Sequence, residues 1–314
     1  MNNKHTLPRY GDWPQDIPFS PAVRNRNPYG FATSNLLWIW TLLPTRLRIW
    51  IYWKALALST KFRYGPETGT QSVRKIFPGL YLKVKDENSN EAAVLRWLAR
   101  NTDIPAPRVI DCVRTYTNSH SGGSHCQIDL MLITEVPGRT IMDVGENNLS
   151  DADVVKIARD LKYYFDQLRS IPSPWGSKIC SLAGGHLQSY RFRRFSCGPF
   201  IDENEFNDFV LNEGSAIIQY PDQKEIVTKR LAKPHSVCFA HGDLAQANIL
   251  ICGGRVTGIV DWETSGFWPE YWDYARAIFP SRYFATVWQE MVRSFLPDYH
   301  EEYEVDLLLW PLSL

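Results

Sequence analysis

The chain has 314 residues and a mass of 36.2 kDa, and its 34 Lys and Arg are matched by 34 Asp and Glu. Zero formal charge argues against a general nucleic-acid binder, which needs a basic face to displace counterions, and 44% hydrophobic against 22% charged residues excludes a disordered acidic or basic tail. The six cysteines (Cys112, Cys126, Cys180, Cys197, Cys238, Cys252) are scattered with no CxxC pair, so neither a zinc cage nor a disulfide framework is indicated, and a reducing, cytoplasmic setting is the simplest reading.

The first elements form an N-terminal extension, residues 1–60. Met1 to Asn27 is polar and proline-rich, without the charged-then-apolar order of a secretory signal. Leu36 to Leu58 (LLWIWTLLPTRLRIWIYWKALAL) is long enough for a membrane span, but Pro44, Arg46, Arg48 and Lys54 interrupt it, and cations at a bilayer centre cost several kilocalories each. Two readings stay open. It is an amphipathic helix packed on the body of the protein, or a peripheral membrane contact with Trp38, Trp40, Trp50 and Trp53 at headgroup depth and its arginines snorkelling.

From about Lys61 the pattern mixes α and β. Leu80-Tyr-Leu-Lys-Val84 alternates as a half-buried strand does, and Asn88 followed three residues later by Glu91 predicts a helix start ahead of Glu91–Leu98. Pro105-Ala-Pro107 breaks the chain before a strand from Arg108 to Val113. Asp129–Glu135 is a further strand, closed by the turn Pro137-Gly138. Ser150 and Asp153 can cap a long helix whose Val154, Ile157, Ala158, Leu161, Phe165 and Leu168 share one stripe. Asn248–Cys252 and Arg255–Val260 flank Gly253-Gly254 as a tight hairpin, and Asp261 falls where its second strand ends.

The stretch that carries chemistry is His241-Gly-Asp243-Leu-Ala-Gln-Ala-Asn248, followed across the hairpin by Asp261-Trp-Glu263. Asn248 lies five residues after Asp243, and Asp261 eighteen. Phosphoryl transfer from a nucleotide needs a carboxylate to orient or deprotonate the acceptor hydroxyl, and hard oxygen ligands that hold Mg²⁺ against the phosphates. The protein-kinase loop H-R-D-x-x-x-x-N with its later D-F-G aspartate has the same Asp-to-Asn interval. On that logic Asp243 is the base, and Asn248 and Asp261 are metal ligands. His241 is read as a prop for the loop, since a histidine here serves better as a hydrogen-bonding post than as a proton carrier.

These residues, with HGDLAQANILICGGRVTGIVDWETSGFWPEYWDYARA from His241 to Ala277, Gly198-Pro-Phe200 and Thr102-Asp-Ile-Pro-Ala-Pro107, resemble the aminoglycoside phosphotransferase and choline kinase-like superfamily, its fungal members above all. The likeness covers about Arg74 to Arg293. It departs from protein kinases in having Gly242 for the loop arginine and Trp262-Glu263 for Phe-Gly. The resemblance implies an α+β, two-lobed protein-kinase-like fold. A small β-rich N-lobe would span residues 61–136 and a larger, mostly helical C-lobe residues 137–314, with ATP (GTP being the alternative) and Mg²⁺ between them. It implies that Lys83 grips the α- and β-phosphates, with Lys85 as a competitor, and that Glu91 pairs with that lysine unless it only caps its helix. It further implies that backbone groups of Thr134 and Val136 bond adenine. Gly65-Pro-Glu-Thr-Gly69-Thr-Gln is a poor match to a phosphate loop, though Thr70 and Ser72 could donate hydrogen bonds to the phosphates.

The implied activity is transfer of phosphate from ATP to a hydroxyl of a small molecule, natural products included. Two alternatives accompany it: a kinase-fold enzyme whose phosphorylation activates a hydroxyl for elimination or cyclisation, and a nucleotide-binding pseudokinase. For the acceptor, the acidic runs Asp202–Asp208 and Glu301–Asp306 would suit a cation, unless they are solvated faces. The aromatics Trp268, Tyr271, Trp272 and Tyr274 would suit an apolar compound, unless they are core.

Overall fold

The computed structural model describes residues 7–13, 39–62, 73–86, 89–118, 125–192, 195–214, 221–279 and 286–309. The chain divides into two compact units, Val23–Pro137 and Gly138–Leu314 together with Met1–Ala22.

The first unit is a sheet covered by a helix. Helix α1 (Thr45–Phe62) begins after Pro44, whose carbonyl accepts the amides of Leu47 and Arg48 at 2.9 and 3.1 Å. Strands β1 (Val73–Phe77) and β2 (Leu80–Asp86), helix α2 (Glu91–Asn101), and strands β3 (Val109–Asn118) and β4 (His125–Thr134) follow. The strands form an antiparallel sheet in the order β1-β2-β4-β3. Successive strand residues face opposite sides, so Leu80, Leu82 and Val84 of β2 join Ile128, Leu130 and Leu132 of β4 beneath Ile49, Tyr52 and Leu56 of α1. Each such buried leucine or isoleucine contributes roughly 1.5–3 kcal/mol. Lys83 stands on the other face. A polar chain fastens the helix: Trp40 Nε1 donates to Tyr52 Oη (2.8 Å), Tyr52 Oη donates to Asp111 Oδ2 (2.6 Å), and Arg48 is ion-paired to Asp111. The packed-helix reading of the 36–58 segment therefore holds for its inner face from Trp40 onward; residues 36–38 lie outside the described residues. Helix α2 starts at Glu91 with Asn90 as N-cap and no side-chain cap bond. The predicted cap, Asn88, lies outside the described residues, as does the Gly65–Gln71 loop with Thr70 and Ser72.

The second unit carries β5 (Arg139–Thr140), the short helix α3 (Ile141–Val144), α4 (Asp151–Arg169), β6 (Leu187–Gln188), β7 (Ser196–Cys197), α5 (Glu203–Gly214), α6 (Pro221–Leu231), β8 (Val237–Ala240), β9 (Ile249–Cys252), β10 (Arg255–Ile259), β11 (Gly266–Pro269), α7 (Trp272–Ile278), α8 (Val287–Phe295) and α9 (His300–Leu309). Ser150 Oγ accepts the Asp153 amide at the start of α4, and the stripe Val154, Ile157, Ala158, Leu161, Phe165, Leu168 is buried as its spacing predicts. Sheets β10-β9-β5 and β11-β8 pack beside it. Gly253 and Gly254 turn the β9–β10 hairpin at φ +58° and +69°, the left-handed values that a two-residue turn of this hand requires. Asp160, buried in α4, pins the hairpin by accepting from Arg255 Nε (2.8 Å), Arg255 Nη2 (2.7 Å) and the Val256 amide (3.0 Å). Trp268 stacks on Trp272 at 4.5 Å, and both belong with Tyr271 to a buried cluster with Phe192, Phe200 and Phe206. These aromatics and Tyr274 are core, not an acceptor platform. Residues 7–13 lie on this unit, with Trp13 Nε1 donating to the Ser294 carbonyl (2.8 Å) and Lys162 Nζ 4.1 Å above the Tyr10 ring. No helix among the described residues is long and apolar enough to cross a membrane.

Candidate active site

The loop after β8 is built around a histidine and a buried carboxylate. Asp273, in the first turn of α7, accepts the amides of His241 (Oδ2, 3.0 Å) and Gly242 (Oδ1, 2.9 Å). Burial pushes its carboxyl up, and the two amide bonds and nearby His241 offset part of that rise. His241 is fully buried; its Nε2 donates to the Val260 carbonyl (2.9 Å), which leaves Nδ1 to accept the Asp243 amide at 3.3 Å. A ring fixed at both nitrogens is a post for the loop, as the sequence suggests. Gly242 sits at φ +84°, and a Cβ there would lie 2.2 Å from the Thr264 carbonyl oxygen. No side chain fits, so the arginine of the protein-kinase loop has no place here.

These bonds set the positions of three oxygen-bearing side chains. Asn248 Nδ2 donates to the Asp243 carbonyl (2.8 Å) and lies 3.4 Å from Asp243 Oδ2, which turns its own Oδ1 away from Asp243. The Val260 amide donates to the Asn248 carbonyl (3.0 Å). Val260 therefore bridges His241 and Asn248 and delivers Asp261 to the same end of the hairpin. Asp261 adopts a left-handed conformation (φ 65°, ψ 58°), uncommon for a non-glycine residue, at the start of the turn Trp262–Thr264. The sequence-predicted trio Asp243, Asn248 and Asp261 is thus assembled by one hydrogen-bonded frame.

Four further residues shape this site, and the motif did not assign them a role. Arg276 Nη2 lies 2.8 Å from Asp243 Oδ1, with both side chains mostly buried, and Arg276 Nε is buried without a partner. Arg276 follows Asp273 by three residues, so both share one face of α7, and that i, i+3 spacing is the signal that could have found it. Tyr190 donates its hydroxyl to Glu263 Oε1, and its exposed ring lies tilted against Phe195 at 4.7 Å between centroids. Burial and the Glu263 carboxylate, with Asp261 and Asp243 adding to the field, raise the Tyr190 phenol far above its ordinary range. Nothing local in the sequence flagged Tyr190, because its partner lies 73 residues away.

In the other unit Lys83 Nζ is 2.6 Å from Glu91 Oε1, and both side chains are buried. Lys83, not Lys85, meets the helix glutamate, and Glu91 Oε2 is left buried without a partner. Thr134 ends β4 in the same sheet and Val136 follows it by two residues; Leu80 pairs with Thr134 three residues along from the Lys83–Met131 pair. The Thr134 amide donates to the Arg108 carbonyl (3.0 Å), which limits any ligand contact from its backbone to the carbonyl.

Both constellations fall inside residues 57–308, which match the model of the phosphotransferase enzyme family (APH). The chain belongs to this family. It is a small-molecule kinase, of the class that transfers phosphate from ATP to a hydroxyl. Among its curated relatives, an aminoglycoside 3′-phosphotransferase of Enterococcus faecalis is 23% identical over 240 residues (69% of this chain, 80% of the relative). One of Staphylococcus aureus is 22% identical over 237 residues (69% and 79%). Among solved structures, apo aminoglycoside phosphotransferase APH(4)-Ia, as a thermostable mutant, aligns at a TM-score of 0.48 and 15% identity, covering 76% of this chain and 79% of that one. The GDP complex of wild-type aminoglycoside 2′-phosphotransferase-IIIa aligns at 0.48 and 13% identity (76% and 78%).

Proposed function

We propose that this family member transfers the γ-phosphoryl group of ATP to a hydroxyl of an uncharged or anionic small molecule, with Asp243 as the catalytic base. The observation that carries this reading is the placement of Asp243 in a frame that also fixes Asn248 and Asp261. Asn248 Oδ1 and the Asp261 carboxylate are hard oxygen donors of the kind Mg²⁺ takes, so the residues present fit that ion. They would hold it, and it would supply neutralisation of phosphate charge. Lys83, oriented by Glu91, would meet the α- and β-phosphates, while the Thr134 carbonyl and the Val136 backbone would meet adenine. The Asp243 carboxylate would orient the acceptor hydroxyl and take its proton as the new bond to the γ-phosphorus forms and the bond from that phosphorus to the bridging oxygen breaks, releasing ADP. Arg276 would fix the carboxylate's rotamer. An ATP-dependent reaction and a chain with free thiols at Cys112, Cys180, Cys197, Cys238 and Cys252 fit the cytoplasm.

The acceptor's charge is read from how the acidic residues are used. Glu203 pairs with His235, Glu302 with His235 and Lys233, Glu304 with Arg230, and Asp306 with Arg191. Glu205 accepts the Ile201 amide at 2.6 Å. A polycationic aminoglycoside would have to break such pairs, and Arg276 beside Asp243 would repel it.

The test is ADP release from ATP and Mg²⁺ across two acceptor panels: aminoglycosides, and uncharged or acidic sugars, polyols and aromatic alcohols. Turnover confined to the second panel and lost in Asp243→Ala is the expected result. Turnover of aminoglycosides would overturn the acceptor reading, and full activity in Asp243→Ala would overturn the base. A thermal shift by Mg·ATP that vanishes in Asp261→Ala would tie the metal to that carboxylate.

A further inference from the structure

Helix α1 is apolar on two faces, and only one of them is used. Ile49, Tyr52 and Leu56 pack on the sheet, as described. The opposite face, at helical spacing, presents Arg46, Leu47, Trp50, Trp53, Lys54 and Leu58, all exposed; Trp50 and Leu58 are 58% and 54% accessible. The turn before the helix adds exposed Ile39 and Leu42. Lys54 Nζ sits 5.9 Å from the centre of the Trp50 ring. An ordinary surface helix of this protein looks different: α4 presents Asp151, Asp153, Lys156, Lys162 and Asp166.

Charge narrows what this face can meet. Helix α1 contains no acidic residue, and its Arg48 is committed to Asp111. Residues 1–62 hold eight Lys and Arg against two Asp and Glu, which leaves 26 against 32 in the remainder of a chain that is neutral as a whole. A second copy docked on this face about a two-fold axis would bring Arg46 and Lys54 of both copies together with no carboxylate on the helix to offset them. Residues 14–38 would not supply the balance either, with Arg24 and Arg26 against Asp16. Tryptophan and leucine mixed with Arg and Lys on one helix face is the composition that settles at the boundary of an anionic bilayer: the rings lie at headgroup depth and the cations meet lipid phosphate and carboxylate. Most of α1, Thr45–Leu56, also precedes the family match, so this surface is an addition to the phosphotransferase domain. It lies on the side of the sheet away from Lys83, so occupying it leaves the lysine's own face of the sheet uncovered.

We propose that the outer face of α1 docks the protein peripherally on an anionic lipid surface. The full-length chain is floated with phosphatidylcholine vesicles containing or lacking phosphatidylserine, while tryptophan emission is recorded. Expected are co-flotation with the anionic vesicles only, a blue shift on binding, and weakening as salt is raised. Trp50→Ser with Trp53→Ser, or Arg46→Glu with Lys54→Glu, should lower the partition coefficient about tenfold or more while the melting temperature stays within a degree or two, because these side chains are exposed. Absence of flotation with anionic vesicles by the folded wild type would overturn the proposal. So would binding that survives both double variants, or a dimer seen by light scattering that the same variants dissolve. None of these outcomes depends on the phosphotransferase reading.

Discussion

The Asp243 loop and the Lys83 strand each hold a charged side chain in a largely buried setting, by opposite means. Around Asp243 the restraints run to backbone amides and carbonyls: Asp273 to His241 and Gly242, His241 to Val260, Asn248 to Asp243. All of them lie between His241 and Asp273, so the geometry is dictated by a short stretch of chain. Around Lys83 the charge is met by the Glu91 side chain, on a sheet whose other face is closed by α1. The first arrangement tolerates change elsewhere in the protein. The second depends on a helix that mostly precedes the family match.

The difference can be broken at its two centres. Asp243→Asn keeps the loop's shape and removes the proposed base, so turnover should fall by about 10²–10⁴-fold, with melting and nucleotide binding retained; ADP release and thermal shift measure the two halves. Lys83→Met should instead cost stability and nucleotide binding as well as turnover. It leaves the Glu91 carboxylate buried without its ion-pair partner, at about 3–5 kcal/mol, and hydrogen exchange should show β2 and α2 opening while the Asp243 loop stays protected. Adding Glu91→Leu should restore much of that protection.

A third test uses the ion-pair cluster around His235, which joins α5 to α9. Burial alone would lower the His235 pKa, but hydrogen bonds to Glu203 and Glu302 outweigh it and raise it to about 9 from 6.5. Burial would likewise raise Glu302, but His235 and Lys233 bring it down to about 2. A raised histidine contributes its stability in full below the unfolded value and loses it as pH rises through the folded one. Stability should therefore decline between about pH 6.5 and 9. At about 1.4 kcal/mol per pH unit, the loss is at most about 3.5 kcal/mol. Urea titrations at several pH values measure it, and His235→Gln should flatten the profile. The smallest effect is expected at Arg276. Arg276→Met should lower kcat about tenfold by freeing the Asp243 rotamer, about 1.4 kcal/mol, with Arg276→Lys recovering part of it.

How much was legible in advance follows the same division. The β9–β10 hairpin, the α4 stripe with its Ser150 cap, and the trio Asp243, Asn248 and Asp261 could be read directly, because turn chemistry, helical period and motif spacing are local properties. Glu91 and Lys83 could be named only through family resemblance, since a strand lysine and a helix glutamate carry no mark of their mutual contact. Tyr190 on Glu263 and Arg276 on Asp243 escaped notice, being side-chain pairs separated by 73 and 33 residues. The acidic runs near residues 202–208 and 301–306 read equally well as a cation site or a solvated face. The structure gives most of them a third role, pairing with His235, Lys233, Arg230 and Arg191.

Local pattern by itself thus determined the β9–β10 hairpin, the α4 stripe and the spacing of Asp243, Asn248 and Asp261, and the resemblance carried by those residues implied an α+β phosphotransferase, because each of those features is written in residues close together along the chain. Only the tertiary structure decided which lysine meets Glu91, that Arg276 meets Asp243, that the aromatics near Trp268 are core, and that α1 turns one apolar face inward and one outward. Those outcomes depend on which distant surfaces meet, and a linear order of side chains does not encode that until the chain is packed.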